Sequence, residues 1–298
     1  MPFAVSIAVL GLVQVALVAL PAQHRPPAWI ERLSSPWWAV IPALSIVVVL
    51  GAIEASPSSA DALTYIALVG VPPLAAFALG ALIRRDRTEP PYTRFRAVSR
   101  RGGLDQLAPV AVTAGLFALA WVSPHSLAGE AAATALSGLA CVTLGWLLVC
   151  GVPARWLRIG VYAMATIDAI YVAADLLQEP NAVLSTAAPA AGLPQLQVVH
   201  FGSAVMGFGD LFVAGLVGCL LAAEGTQTVE VGRFAFRRQE LGALLVAILA
   251  LTFDLLFFAV HELPATVPVA LALALVQRGG AIDRLTTGYV GQSIDRRP

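Results

Sequence analysis

Nine apolar runs divide this chain, and nearly all of them are about as long as a helix must be to cross a lipid bilayer. They fall near residues 3–21, 37–54, 62–83, 105–123, 131–150, 156–177, 197–222, 239–260 and 264–277. About 20 apolar residues at the helical rise match a hydrocarbon layer ~30 Å thick. In lipid an open strand would leave backbone N–H and C=O groups without partners, so every run is expected to be helical. The fold expected is an all-α polytopic membrane bundle of nine transmembrane helices. The ninth run is short and the fourth is interrupted by Pro109. Composition agrees, since only 12% of residues are charged and 58% are hydrophobic, too little charge to cover a soluble surface. No basic stripe interleaved with aromatics is present, so nucleic acid is not an expected partner.

The charges set an orientation. All 18 basic residues are arginine, and each falls in an odd-numbered connection. Arg25 and Arg32 follow the first run, and Arg84, Arg85, Arg87, Arg94, Arg96, Arg100 and Arg101 follow the third. Arg155 and Arg158 precede the sixth, Arg233, Arg237 and Arg238 follow the seventh, and Arg278, Arg284, Arg296 and Arg297 follow the ninth. The even connections hold Glu54, Asp61, Glu130, Glu179 and Glu262 and no arginine. Positive charge is retained on the cytoplasmic side, which places the N-terminus outside and the C-terminus in the cytoplasm. One missed span would scramble this alternation.

Three regions are expected: a five-span N-terminal bundle over 1–154, a four-span region over 155–277 and a cytoplasmic tail over 278–298. Within the first, the loop 84–103 reads as a solvated arginine-rich linker, with anionic lipid as its sharper alternative. The start of the chain lacks a positive n-region, so the first run reads as a retained span. Cys141, Cys150 and Cys219 all lie in apolar segments without a CxxC pair and read as small buried hydrophobes.

A carboxylate at mid-bilayer costs a few kcal/mol or more, and is a functional candidate for that reason. Asp168, Asp175, Asp210 and Asp254 all fall within apolar runs. Asp168 lies ten residues beyond Arg158, ~15 Å into its helix, and Asp210 lies midway along the next run, so antiparallel helices bring the two to one level. Asp175 would share a face with Asp168 but sit ~10 Å further out, and Asp254 is also displaced outward. Two carboxyl groups close together in a low dielectric share one proton, which suits activation of a water against a carbonyl. Gly207 and Gly209 precede Asp210 and permit local unwinding and close backbone approach, which an extended substrate strand would need. Gly215 and Gly218 read as packing residues. Pro264 and Pro268 make the entry to the ninth run irregular, and irregular backbone at membrane depth belongs against protein or a watery cavity.

Taken in order, these pieces resemble the presenilin and signal peptide peptidase family of intramembrane aspartyl proteases. Gly207-Phe208-Gly209-Asp210 matches that family's Gly-x-Gly-Asp motif, and Pro264-Ala265-Thr266 matches its Pro-Ala-Leu motif except for threonine at the third place. The family's Tyr-Asp motif is represented by Ile167-Asp168, with tyrosines displaced to Tyr162 and Tyr171. The resemblance covers about 155–277. It implies Asp168 and Asp210 as catalytic residues, and Gly207, Gly209, Pro264, Ala265 and Thr266 as substrate-binding residues. It also implies transmembrane helical peptides as substrates, with membrane lipid as the setting and no metal or organic cofactor. An outside N-terminus resembles the signal peptide peptidase branch, whose substrates have a cytoplasmic N-terminus.

Other readings of the sequence are weaker. Prepilin peptidases share Gly-x-Gly-Asp, but Leu211-Phe212 follows here where their motif runs on into lysine. His261-Glu262 lacks the second histidine of a zinc protease motif, because residue 265 is alanine. Gly202-Ser203 near His200 does not meet the Gly-x-Ser-Gly pattern of a serine site, and His200 and His261 read as membrane-boundary residues. A transporter relaying protons or cations through the four carboxylates is the alternative of a different class.

Overall fold

The computed structural model describes residues 2–21, 58–85, 104–176, 183, 186, 187, 189–224, 228–231, 234–256 and 264–292. It is mostly helical: α1 (Phe3–Ala19), α2 (Ser58–Arg85), α3 (Leu104–Val122), α4 (Leu127–Gly151), α5 (Ala154–Ala173), α6 (Phe208–Ala223), α7 (Arg238–Leu256) and α8 (Thr266–Gln292). Two hairpins interrupt the helices, β1 (Val198–Phe201) with β2 (Ala204–Gly207) and β3 (Thr228–Val231) with β4 (Phe234–Arg237). Eight of the nine apolar runs overlap these helices, and the run 37–54 lies outside the described residues, as does loop 86–103.

Among the described residues four helices are long and apolar enough to cross a membrane, namely α2, α4, α5 and α7, and the other four carry shorter apolar segments, Phe3–Ala19, Leu107–Val122, Phe208–Ala223 and Thr266–Gly279. The outward surface matches that solvent. Val69 is 74% exposed, Leu255 67% and Leu12 64%, on three different helices, a pattern that lipid covers at no hydrophobic cost. The chain is therefore membrane-embedded.

At the centre is α6, which packs against α4, α1, α7, α8 and α5. Its glycines set the closest approaches. A Cβ on Gly215 would lie 3.0 Å from the Cys141 carbonyl oxygen, and one on Gly218 only 2.4 Å from the Leu17 carbonyl oxygen. Small residues that let backbones touch are how helices gain dispersion contact without a hydrophobic driving force. α1 joins the same core through a stripe at helical spacing, Ser6, Leu10, Gly11, Gln14, Leu17 and Val18. Cys141 and Cys219 are buried and Cys150 is half-buried, all as free thiols.

Three expectations are corrected. The run 197–222 is not helical throughout, because residues 198–207 form the β1–β2 hairpin and the helix begins only at Phe208. A helix of 16 residues spans ~24 Å, short of the hydrocarbon layer. Irregular backbone is tolerated because it lies against protein, β1 on α4 and both strands on α1. The run 156–177 also ends early, at Ala173, so Asp175 is not on the face that carries Asp168. It follows the C-cap with φ 57, a left-handed position that Asp tolerates better than most residues. Finally, α8 continues to Gln292, past the expected end at 277.

Side-chain contacts sort by end. At one end, Arg158 from α5 and Arg238 from α7 both bind Glu224, the C-cap of α6; Arg238 Nη1 is 2.8 Å from Glu224 Oε2. Gln239 Nε2 donates to the Val18 and Pro21 carbonyls, satisfying the C-terminus of α1. At the opposite end Ser6, Glu130 and the β1–β2 turn meet. Among the described residues Arg158, Glu224, Arg238 and Gln239 thus share the first end, and Glu130 lies at the second.

Candidate functional site

α5 buries Leu157, Val161, Met164 and Ala165, and Asp168 is the next position along that stripe. Its carboxylate is thereby turned into the bundle, half-buried, toward the start of α8. There Thr266 supplies two donors to one oxygen: its hydroxyl lies 2.5 Å from Asp168 Oδ2 and its backbone N–H 3.3 Å. Thr266 is the first residue of α8, so that N–H is one of the donors a helix start leaves unpaired. Asp168 thus caps a helix other than its own, at the end whose dipole favours a carboxylate.

The start of α8 fits its sequence. Pro268 falls in the first turn, where a missing N–H costs nothing. The segment Pro264-Ala265 is non-helical, as expected from its prolines, and Gln14 of α1 donates from Nε2 to the Ala265 carbonyl at 3.3 Å.

Asp210 is the third residue of α6, not a mid-helix residue. Gly207, in extended conformation (φ −68, ψ 149), is the N-cap, and its N–H donates to Asp210 Oδ2 at 3.2 Å. This is half of a capping box, with the carboxylate reaching back over the helix start. The loosened backbone expected before Asp210 is therefore a helix terminus. A Cβ on Gly209 would meet no atom of another element within 4 Å among the described residues, so that face of the helix start is open.

The two carboxyl groups lie within electrostatic reach of one another, and α8 packs against both parent helices. Among the described residues both groups place their hydrogen bonds on Oδ2, and Oδ1 of each carries none. Farther along α5, Tyr162 Oη donates to Gln277 Oε1 at 3.1 Å, so one of the displaced tyrosines ties α5 to α8.

Of the other carboxylates, Asp175 ends α5, and Asp254 sits in the seam between α1 and α7, where a Cβ on Gly11 would be 3.7 Å from its Oδ2. His200 is half-buried on β1, and His261 and Glu262 lie outside the described residues. Among the described residues no three His, Cys, Asp or Glu side chains converge as a metal site would require. Three contributors were not singled out from sequence: Gln14, Ser6 and the Glu130 carboxylate. Their signal was a polar side chain alone in, or at the mouth of, an apolar helix.

No family model, no curated protein and no solved structure matches this chain.

Proposed function

We propose that this chain is a multi-pass intramembrane aspartyl endopeptidase of the cell membrane, hydrolysing peptide bonds within transmembrane helices through Asp168 and Asp210. What supports the reading is that these two carboxyl groups, from α5 and α6, lie within electrostatic reach of one another, with Thr266 fixed on Asp168 beside the start of α8. Two carboxyl groups that act on one another in a low-dielectric bundle share one proton. The ionised member draws a proton from a water held at the free Oδ1 atoms, while the protonated member donates to the scissile carbonyl oxygen. Neither step calls on a metal or organic cofactor.

A helical substrate must be extended before its carbonyl can be attacked. Among the described residues β2 is paired on one edge only, and it ends at Gly207, three residues before Asp210, with Val205 56% exposed. An extended peptide can add to the other edge as a further strand, which presents its carbonyls beside the dyad. In this reading Gly207 and Gly209 leave room for that peptide, and Pro264, Ala265 and Thr266 line its far side.

The arginine alternation supports nine spans with the N-terminus outside, and the sorting of contacts by end is consistent with an up-and-down path. By the resemblance to signal peptide peptidases, substrates are helices with a cytoplasmic N-terminus, including remnant signal peptides. The test is purified protein in vesicles with single-span peptides tagged at both ends, inserted in each orientation. Cleavage inside the apolar segment of the cytoplasmic-N-terminus peptide is expected; no cleavage of either would overturn the proposal. A C-terminal reporter found outside the cell would overturn the orientation. A proton- or cation-translocating protein is the rival, and Asp254 favours it, because its Oδ2 is enclosed with no hydrogen-bond partner among the described residues.

A further inference from the structure

The N–H groups of a two-residue hairpin loop point away from the strand ladder, so water or another element takes them. The β1–β2 loop is Gly202-Ser203, between the paired residues Phe201 and Ala204. Gly202 has φ 60, as the first loop position of a type II′ turn requires, and the turn's twist matches that of the strands. Both loop donors are then captured by side chains on helices. Gly202 N–H donates to Glu130 Oε2 of α4 at 2.7 Å, and Ser203 N–H donates to Ser6 Oγ of α1 at 3.2 Å. The first is a charge-assisted bond of short length, the stronger kind.

The other end of the hairpin is equally defined. β2 ends at Gly207, whose N–H holds Asp210 Oδ2. The four residues of β2, ~13 Å of chain, lead from the turn to the Asp210 contact at Gly207. Glu130 also has a charged role available within its own helix, since it lies in the first turn of α4 behind the N-cap Ser126. His200 on β1 is the titratable neighbour on which the Glu130 charge acts.

We propose that Glu130 is a positioning residue: its carboxylate anchors the turn of the β1–β2 hairpin, with Ser6 as a second support, and through β2 fixes Gly207 and the carboxyl group of Asp210. The claim about the hairpin stands on geometry alone, and the claim about turnover rests on the protease reading above. Severing the anchor leaves the fold of α4 intact but frees the hairpin to shift its register and tilt against α1 and α4, moving the Asp210 carboxyl off Asp168.

The experiment uses the full chain in lipid nanodiscs and compares wild type, Glu130→Ala, Glu130→Gln and Ser6→Ala. Amide hydrogen exchange is followed over 202–207 and, as control, over α4, alongside turnover of a helical reporter peptide. Losing a bond to a charged acceptor predicts amide exchange at 202 and 207 faster by about ten- to a hundredfold in Glu130→Ala. kcat falls in parallel, and Glu130→Gln, which keeps an acceptor oxygen, recovers most of both. Ser6→Ala gives a smaller acceleration, about two- to tenfold, confined to 203–207; it carries the test if Glu130→Ala does not fold. Unchanged exchange over 202–207 in Glu130→Ala, or a Glu130→Gln as impaired as the alanine variant, overturns the anchor. Faster exchange with unchanged kcat overturns the link to Asp210. If wild type cleaves nothing, the protease reading fails, and the exchange data still decide the anchor.

Discussion

At one end of the bundle Glu224 is gripped by two guanidinium groups, Arg158 from α5 and Arg238 from α7; at the other, the β1–β2 turn hangs on one carboxylate and one hydroxyl. The first end joins three helices through side chains that are largely out of solvent, with Glu224 11% exposed and Arg238 9%. The second end joins a hairpin to two helices through backbone donors in an exposed turn. Glu224 is a carboxylate at a helix C-terminus, where the dipole opposes it, so the two arginines are what make that position tenable. The difference is mechanical. The arginine end ties the parent helices of Asp168 and Asp210 to each other and to α7, while in the proposed reading the hairpin end offers an edge of backbone to an incoming chain.

The comparison breaks most severely at Glu224. Glu224→Ala leaves Arg238 buried without its carboxylate, so a loss of about 3–5 kcal/mol is expected. Thermal unfolding in detergent would show it as a large drop in Tm, whereas a shift within error would mean the arginine end is no clamp. A smaller effect belongs to the site itself. Thr266→Val removes the hydroxyl bond to Asp168, worth about 1.5–3 kcal/mol for a charged acceptor, so reporter turnover should fall at least tenfold while Thr266→Ser stays near wild type. Equal loss in both variants would make Thr266 a packing residue. The smallest effect is at Asp175. Asn also tolerates the left-handed conformation, so Asp175→Asn should change stability and turnover by less than about 0.5 kcal/mol. A loss there comparable to that of an Asp168 variant would mean that the wrong carboxylate has been paired with Asp210.

Much of the helical framework was legible in the sequence because lipid permits so few backbone solutions. Run length located the helices, and the helical rise put Asp168 well inside its run; the stripe from Leu157 through Val161 and Met164 that turns it inward shows only in the packing. The same rule hid the hairpin. An apolar run does not distinguish a buried strand from a helix, and bilayer logic argued for helix across all of 197–222. Val198 and Val199 ahead of a two-residue Gly202-Ser203 loop do carry a hairpin signal, but only the covering of the strands by α1 and α4 makes a hairpin tenable there. The placement of Asp175 went wrong for a related reason, since nothing local marks where α5 stops. Threonine at the third position of Pro264-Ala265-Thr266 read as a departure from a motif. In the structure that residue is the direct partner of Asp168. Contacts such as Glu130 with Gly202 join residues far apart in sequence, and periodicity carries no information about them.

The dyad itself is tested most directly by cleavage of a double-tagged transmembrane peptide in vesicles by wild type, Asp210→Asn and Asp168→Asn, with reconstitution and Tm matched across the three. The account predicts a product from wild type that ends within the apolar segment, and none from either asparagine variant at equal protein. Cleavage at the same bond by Asp210→Asn would contradict it.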